Sequence, residues 1–292
     1  MSITESITEC VKNISSDYEI LFRYTEKIQS DNQWKNLLLN NTKKIFYINY
    51  PNQVTYIAIG RCKEYIINST NDLDALKNFH YKMQSYGKNK NETLKFFGGI
   101  SFNLNQTPKD FWEDIPKGLF CIPEFLIIKN KKECFISYYN FINQNSSPKK
   151  IILKYKSFIT RLKDTSDIKT TTMHFEQNIP NKEIYSKIFS NLSGFIKNKD
   201  VNKVVLSRIK KFSVNNKIIL KDTSCTNFYI DLKNNKRFLG TTPELLVAIK
   251  NKQLTTSAIA GTLKKQLNND LDDFLKNQKE LSEHQYVVDD LI

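Results

Sequence analysis

The chain has 292 residues, with 44 Lys and Arg against 30 Asp and Glu, a formal charge of +14. At 40% hydrophobic and 12% aromatic it can bury a core, so a disordered chain is excluded. Only 3 His and 5 Cys, with no C-x-x-C, argue against a His-rich metal centre, a zinc ribbon or a thioredoxin-like site. Catalysis then rests on Lys, Glu, Asp, Tyr or backbone groups.

The N-terminus, MSITESITECVKNISSDYE, lacks the basic start and apolar run of a signal peptide. No stretch approaches the ~18 apolar residues needed to span a bilayer. Unpatterned cysteines fit a reducing compartment, so a cytoplasmic protein is expected. The positive charge invites a nucleic-acid partner. The lysines, however, are spread singly or in pairs beside Asn, without a basic run. A solvated lysine surface is the plainer reading, and its potential can also steer small anions into a cleft.

In chain order, residues 17–40 read as a helix, with Trp34, Leu37 and Leu38 at helical spacing. Beta-branched and aromatic residues predict strands over 43–50, 54–60 and 62–68. Asn71 and Asp72 open a helix over 71–86. A strand surrounds Gly98 and Gly99 in 94–102, and 120–130 with 133–141 read as a hairpin. Residues 143–150 are a loop by composition. A helix is predicted over 181–198, then strands over 203–212, 226–232, 244–251 and 253–261. A helical stretch, 269–292, ends the sequence. Long helices mixed with adjacent strands argue for an α+β fold with a largely antiparallel sheet.

The scarce glycines fall beside chemistry. Gly98 and Gly99 are paired, Gly240 precedes TTPE, and Gly261 lies within AIAGT. Glycine permits positive φ or close approach of backbone to a ligand, although by residue type alone ordinary turns between strands are the plainer reading. No G-x-G-x-x-G, P-loop or G-x-S-x-G signature is present.

Four segments occur in order: VNKVVLSR (201–208), FLGTTPELLV (238–247), TTSAIAGT (255–262) and KELSEHQYVVDDLI (279–292). Together they resemble the chorismate-binding enzyme family, most closely isochorismate synthases of the menaquinone or siderophore type. FFGGISF…FWEDIPKGLFCIPEFLI (96–127) resembles the N-terminal half of that family. The resemblance implies one chorismate-binding domain over 1–292, with motifs in 95–292 and a less characteristic 1–94. Its fold is the anthranilate synthase component I-like one: packed antiparallel sheets with helices outside.

The resemblance assigns roles residue by residue. By residue type Lys203 is one surface lysine among many; in water-using members a Lys here is the general base. Amine-using members usually carry Gln, so Lys203 favours water as the nucleophile. A strand would alternate Lys203, Val205 and Ser207 against Val204 and Leu206. Glu244, after Pro243, resembles the general acid that protonates a departing hydroxyl, a role that needs a raised pKa. Thr242 stands where the family usually has Ser and keeps the hydroxyl. Ala260, Gly261 and Thr262 resemble the segment that presents backbone N–H groups to a substrate carboxylate. Aminodeoxychorismate synthases commonly hold a nucleophilic Lys at the position of Ala260.

On the last helix Glu280, Glu283 and His284 share one side. The resemblance places Glu283, not Glu280, as a Mg²⁺ ligand, and His284 as structural. Hard carboxylate oxygens suit Mg²⁺. The implied reaction is chorismate to isochorismate with Mg²⁺ and no organic cofactor, by a monomer without an amidotransferase subunit. Salicylate synthase and anthranilate synthase are rival activities, and a basic nucleic-acid-binding module is the rival of another class. In the family a further segment carries an Arg for a substrate carboxylate and a second acidic metal ligand. The expectation is a C-terminally truncated chain with the base, the acid and one metal ligand, inactive by itself.

Overall fold

The computed structural model describes residues 1–14, 19–29, 45–85, 94–162, 171–198, 201, 203–216, 218, 224–232, 234–263 and 274–291. The elements are α1 (Ile3–Lys12), β1 (Ile20–Ile28), β2 (Ile45–Tyr50), β3 (Val54–Ile59), β4 (Lys63–Ile67) and α2 (Asn71–Ser85). Then come β5 (Phe97–Ile100), β6 (Gly118–Ile122), β7 (Phe125–Asn130), β8 (Cys134–Ile142) and α3 (Pro148–Leu162). The remainder is β9 (Met173–Ile179), α4 (Lys182–Lys197), β10 (Ile209–Val214), β11 (Thr226–Asp231), β12 (Arg237–Thr242), β13 (Ala248–Lys250), β14 (Gln253–Thr255) and α5 (Gln278–Asp289).

A seven-stranded sheet in the order β1-β8-β7-β3-β2-β11-β12 organises the molecule, and every neighbouring pair is antiparallel. Its central strands read as near-continuous apolar runs because both faces are covered. On β7, Phe125 and Ile127 enter one core while Leu126 enters the other. On β2, Ile45 and Tyr47 oppose Phe46 in the same way. The first core lies under α1 and α3, which contribute Ile3, Ile7, Ile151, Tyr155 and Phe158. The second lies under α2 and the sheet β4-β6-β5, which contribute Met83, Phe97, Cys121 and Ile122. These are three layers on two cores, the α+β architecture expected.

Local chemistry explains the ends of the helices. Ser2 and Glu5 form a reciprocal capping box at the start of α1. Asp72 accepts from the backbone N–H groups of Asn68 and Ser69, which hold its carboxyl below the usual carboxylate value. Gly98 sits where an added Cβ would run into the carbonyl of Leu119 on β6, so the close β5–β6 approach requires glycine. Burial pushes the thiols of Cys62 and Cys121 up to about 12, and all five cysteines are unbridged. Among the described residues no helix is long and apolar enough to cross a membrane.

Three sequence expectations are corrected. Residues Ile20–Ile28 form a strand, not a helix, pairing along their full length with β8. Trp34, Leu37 and Leu38 lie outside the described residues. The loop predicted over 143–150 ends early, because α3 begins at Pro148, a residue suited to the first turn of a helix. The strand predicted from Lys203 begins only at Ile209, where β10 pairs with β9. A strand needs a partner for its backbone groups, and among the described residues 203–208 have no ladder.

Candidate active site

Two hairpins and one helix carry or flank the candidate residues other than Lys203. The hairpin β11–β12 lies at the edge of the large sheet, and Glu244 follows two residues after β12 ends. Thr242 turns the chain there: its Oγ1 accepts from the Glu244 backbone N–H at 3.2 Å. Glu244 itself is exposed.

The hairpin β13–β14 then returns the chain toward Ala260. Thr256 Oγ1 donates to the Leu246 carbonyl at 2.8 Å, tying the segment after Glu244 to the one leading into Ala260-Gly261-Thr262. The strands predicted over 244–251 and 253–261 are shorter than expected, at three residues each. Leu246 at 87% and Val205 at 80% exposure show that the apolar side chains near Glu244 and Lys203 face solvent. Without a covering layer, alternation alone does not fix a longer strand.

Gly261 has φ +82°, a conformation that favours glycine. An added Cβ would stand 2.7 Å from Glu280 Oε2 and 3.2 Å from the Phe274 ring. The carboxylate next to the Ala-Gly-Thr segment is therefore that of Glu280, which sequence reasoning set aside in favour of Glu283. We expect Gly261→Ala to cost about 1–2 kcal/mol in urea denaturation, the penalty for a Cβ in left-handed backbone. An unchanged midpoint would contradict the positive φ.

Helix α5 starts where Asn277 accepts from the backbone N–H groups of Lys279 and Glu280 at 3.0 and 3.3 Å. Glu280 and Glu283 follow less than one turn apart, and both are half-buried. Glu283 Oε1 lies 3.9 Å from Lys279 Nζ, a loose pair on the helix surface. Among the described residues no cluster of three or more His, Cys, Asp or Glu side chains is present. Two half-buried carboxylates, one beside a positive-φ glycine, offer hard oxygen donors of the kind that suit a cation such as Mg²⁺.

Lys203 is exposed and lies outside regular structure. No hydrogen bond or ion pair joins Lys203, Glu244 and Glu283 to one another among the described residues. Thus the structure brings the Gly261 segment to Glu280 and ties it toward the Glu244 segment.

Comparison with known proteins gives these residues a context. The family described as "Chorismate binding enzyme" matches residues 5–292. Isochorismate synthase MenF of Bacillus subtilis is 20% identical over 271 residues, covering 84% of this chain and 57% of MenF. Among solved structures, MenF of Escherichia coli, described as the menaquinone-specific isochorismate synthase, superposes with a TM-score of 0.62 at 16% identity. It covers 99% of this chain and 68% of that one. DhbC from Bacillus anthracis gives a TM-score of 0.58 at 17% identity, covering 89% of this chain and 61% of that one. At these identities the structural likeness establishes the fold. The chain spans little more than half the length of the curated relative that it matches.

Proposed function

Because the chain belongs to the chorismate-binding enzyme family, we propose that it supplies the base, the acid and the first metal-binding helix of an isochorismate synthase. The observation that carries this reading is the family match over residues 5–292; the resemblance of VNKVVLSR and TTPELLV to family motifs is what supports Lys203 as the base and Glu244 as the acid. Similarity to MenF points the same way.

The chemistry balances on two side chains. Lys203, unprotonated, takes a proton from water as the water oxygen bonds to C2 of chorismate. The two ring double bonds shift, and the C4–oxygen bond breaks. Glu244, protonated, gives its proton to the departing hydroxyl, which leaves as water. One water enters and one leaves, so the net change is an isomerisation. Exchange of protons with solvent restores both side chains. Backbone N–H groups around Gly261 would meet a substrate carboxylate, since glycine allows the approach. Glu283, with Glu280 beside Gly261, would hold Mg²⁺. When bound, the cation supplies charge neutralisation and orientation for the substrate carboxylate.

The test is chorismate with Mg²⁺, followed by chromatographic identification of the product. Isochorismate without pyruvate, lost on adding EDTA, is the expected result. Release of pyruvate with fluorescent salicylate would replace this reading by salicylate synthase. Turnover unchanged in excess EDTA would defeat the metal's role.

A further inference from the structure

A cavity of about 650 Å³ lies between β4, β5 and β6, the loop 101–117, and strands β11 and β12. Its size falls in the range of small-molecule sites, roughly 300–1,000 Å³. None of Lys203, Glu244, Gly261 or Glu283 lines it. Its walls are mostly apolar and include Phe46, Ile66, Trp112, Ile230 and Phe238. Trp112 and Phe238 meet edge to face at 5.4 Å, and both are 42% exposed, so this aromatic pair is open to an incoming ligand.

One polar group in this wall is under-used. The Arg61 side chain is only 16% exposed, and its guanidinium carbon lies 5.9 Å from the centre of the Phe46 ring. Arg61 Nη1 donates to Glu64 Oε2 at 2.8 Å, and Nη2 reaches the Asp231 carbonyl at 3.5 Å. Its Nε has no hydrogen-bond partner but is closed to solvent, so a ligand in the cavity would meet the rest of the guanidinium. A guanidinium has five N–H donors, and Glu64 and Asp231 take only two of them, so donors remain for an acceptor in the cavity. The other cations of the lining are less buried or differently engaged: Lys117 Nζ donates to the Leu104 carbonyl at 2.6 Å, and Lys109 is exposed. With Glu64 and Asp110 as the only carboxylates among the lining residues, the balance is one positive charge. A single anionic group would bring that balance to zero, with the largely buried Arg61 as its donor.

We propose that this cavity binds a small aromatic monocarboxylate, with its carboxylate on Arg61 and its ring among Phe46, Trp112 and Phe238. The site is separate from the proposed catalytic residues and does not depend on the isochorismate synthase reading.

The sequence has two tryptophans, Trp34 and Trp112, so a Trp34→Phe background leaves Trp112 as the sole reporter. The probes are 4-nitrohydrocinnamate, whose nitroaryl ring quenches indole fluorescence, and its neutral amide. The carboxylate should quench Trp112 saturably and bind more tightly than the amide. Arg61→Gln should weaken the carboxylate by about tenfold or more while leaving the amide unchanged, the signature of a lost charge-assisted bond. Gly99 lines the cavity, and a Cβ added there meets nothing within 4 Å, so Gly99→Leu can fill the space without a backbone clash. That variant should lose both probes and keep its melting temperature. Non-saturable quenching, equal affinity for acid and amide in the parent chain, or unchanged affinity in both variants would overturn the proposal.

Discussion

Lys203→Ala is expected to reduce isochorismate formation by about a thousandfold or more, and Glu244→Ala to do the same, within the range for loss of a positioned base or acid. Both side chains are exposed, so neither supports a core. Each variant should unfold within about 0.5 kcal/mol of the parent, as surface substitutions do. The pairing of large kinetic loss with unchanged stability is what separates a chemical role from a structural one. Because base and acid act in one reaction, the double variant should be little worse than either single variant. Near-normal turnover in either single variant would remove that residue from the mechanism.

The largest effect on stability is expected at Phe125. Its side chain is fully buried on β7, in the core beneath α3. It stacks on Phe158 of α3 with ring centres 3.8 Å apart and planes at 10°. It also stacks on Tyr138 of β8 at 4.8 Å and 22°. One ring thus joins the sheet to the helix layer. Phe125→Ala removes that ring and leaves a cavity between two layers that cannot both close on it. The expected loss is about 3–5 kcal/mol in urea denaturation. A loss below about 1 kcal/mol would mean that α3 collapses onto the sheet and that the stack is not the joint described here.

Much of this architecture is legible in the sequence where local chemistry decides. The runs around Phe46, Ile57 and Ile127 predict strands because beta-branched and aromatic residues fill both faces of a covered sheet. The helix from Lys182 is legible because Asn181 accepts from the Ile184 N–H at 2.9 Å and an apolar face follows. Residues Ile20–Ile28 are not legible this way. Their conformation is set by β8, more than a hundred residues later, where Thr25 meets Ser137 across the ladder at 2.8 Å. Long-range pairing overrides local pattern there.

The candidate site divides similarly. The identity and order of Lys203, Glu244, Ala260-Gly261-Thr262 and Glu283 are carried by motifs, which need no coordinates. Which carboxylate meets Gly261 depends on the packing of α5 against a positive-φ turn, and that contact is made by Glu280. Spacing along one helix cannot separate Glu280 from Glu283, because residues three apart share a face. Arg61 escaped notice for a related reason. It matters only because β4, β6 and the β11–β12 hairpin bring it to one cavity with Phe46, Trp112 and Phe238.

The central claim is that water, activated at Lys203, attacks chorismate. Turnover in H₂¹⁸O followed by mass spectrometry of the isolated isochorismate tests it directly. The account predicts one ¹⁸O atom per isochorismate, carried by the C2 hydroxyl. Isochorismate formed with only its original oxygens would contradict it.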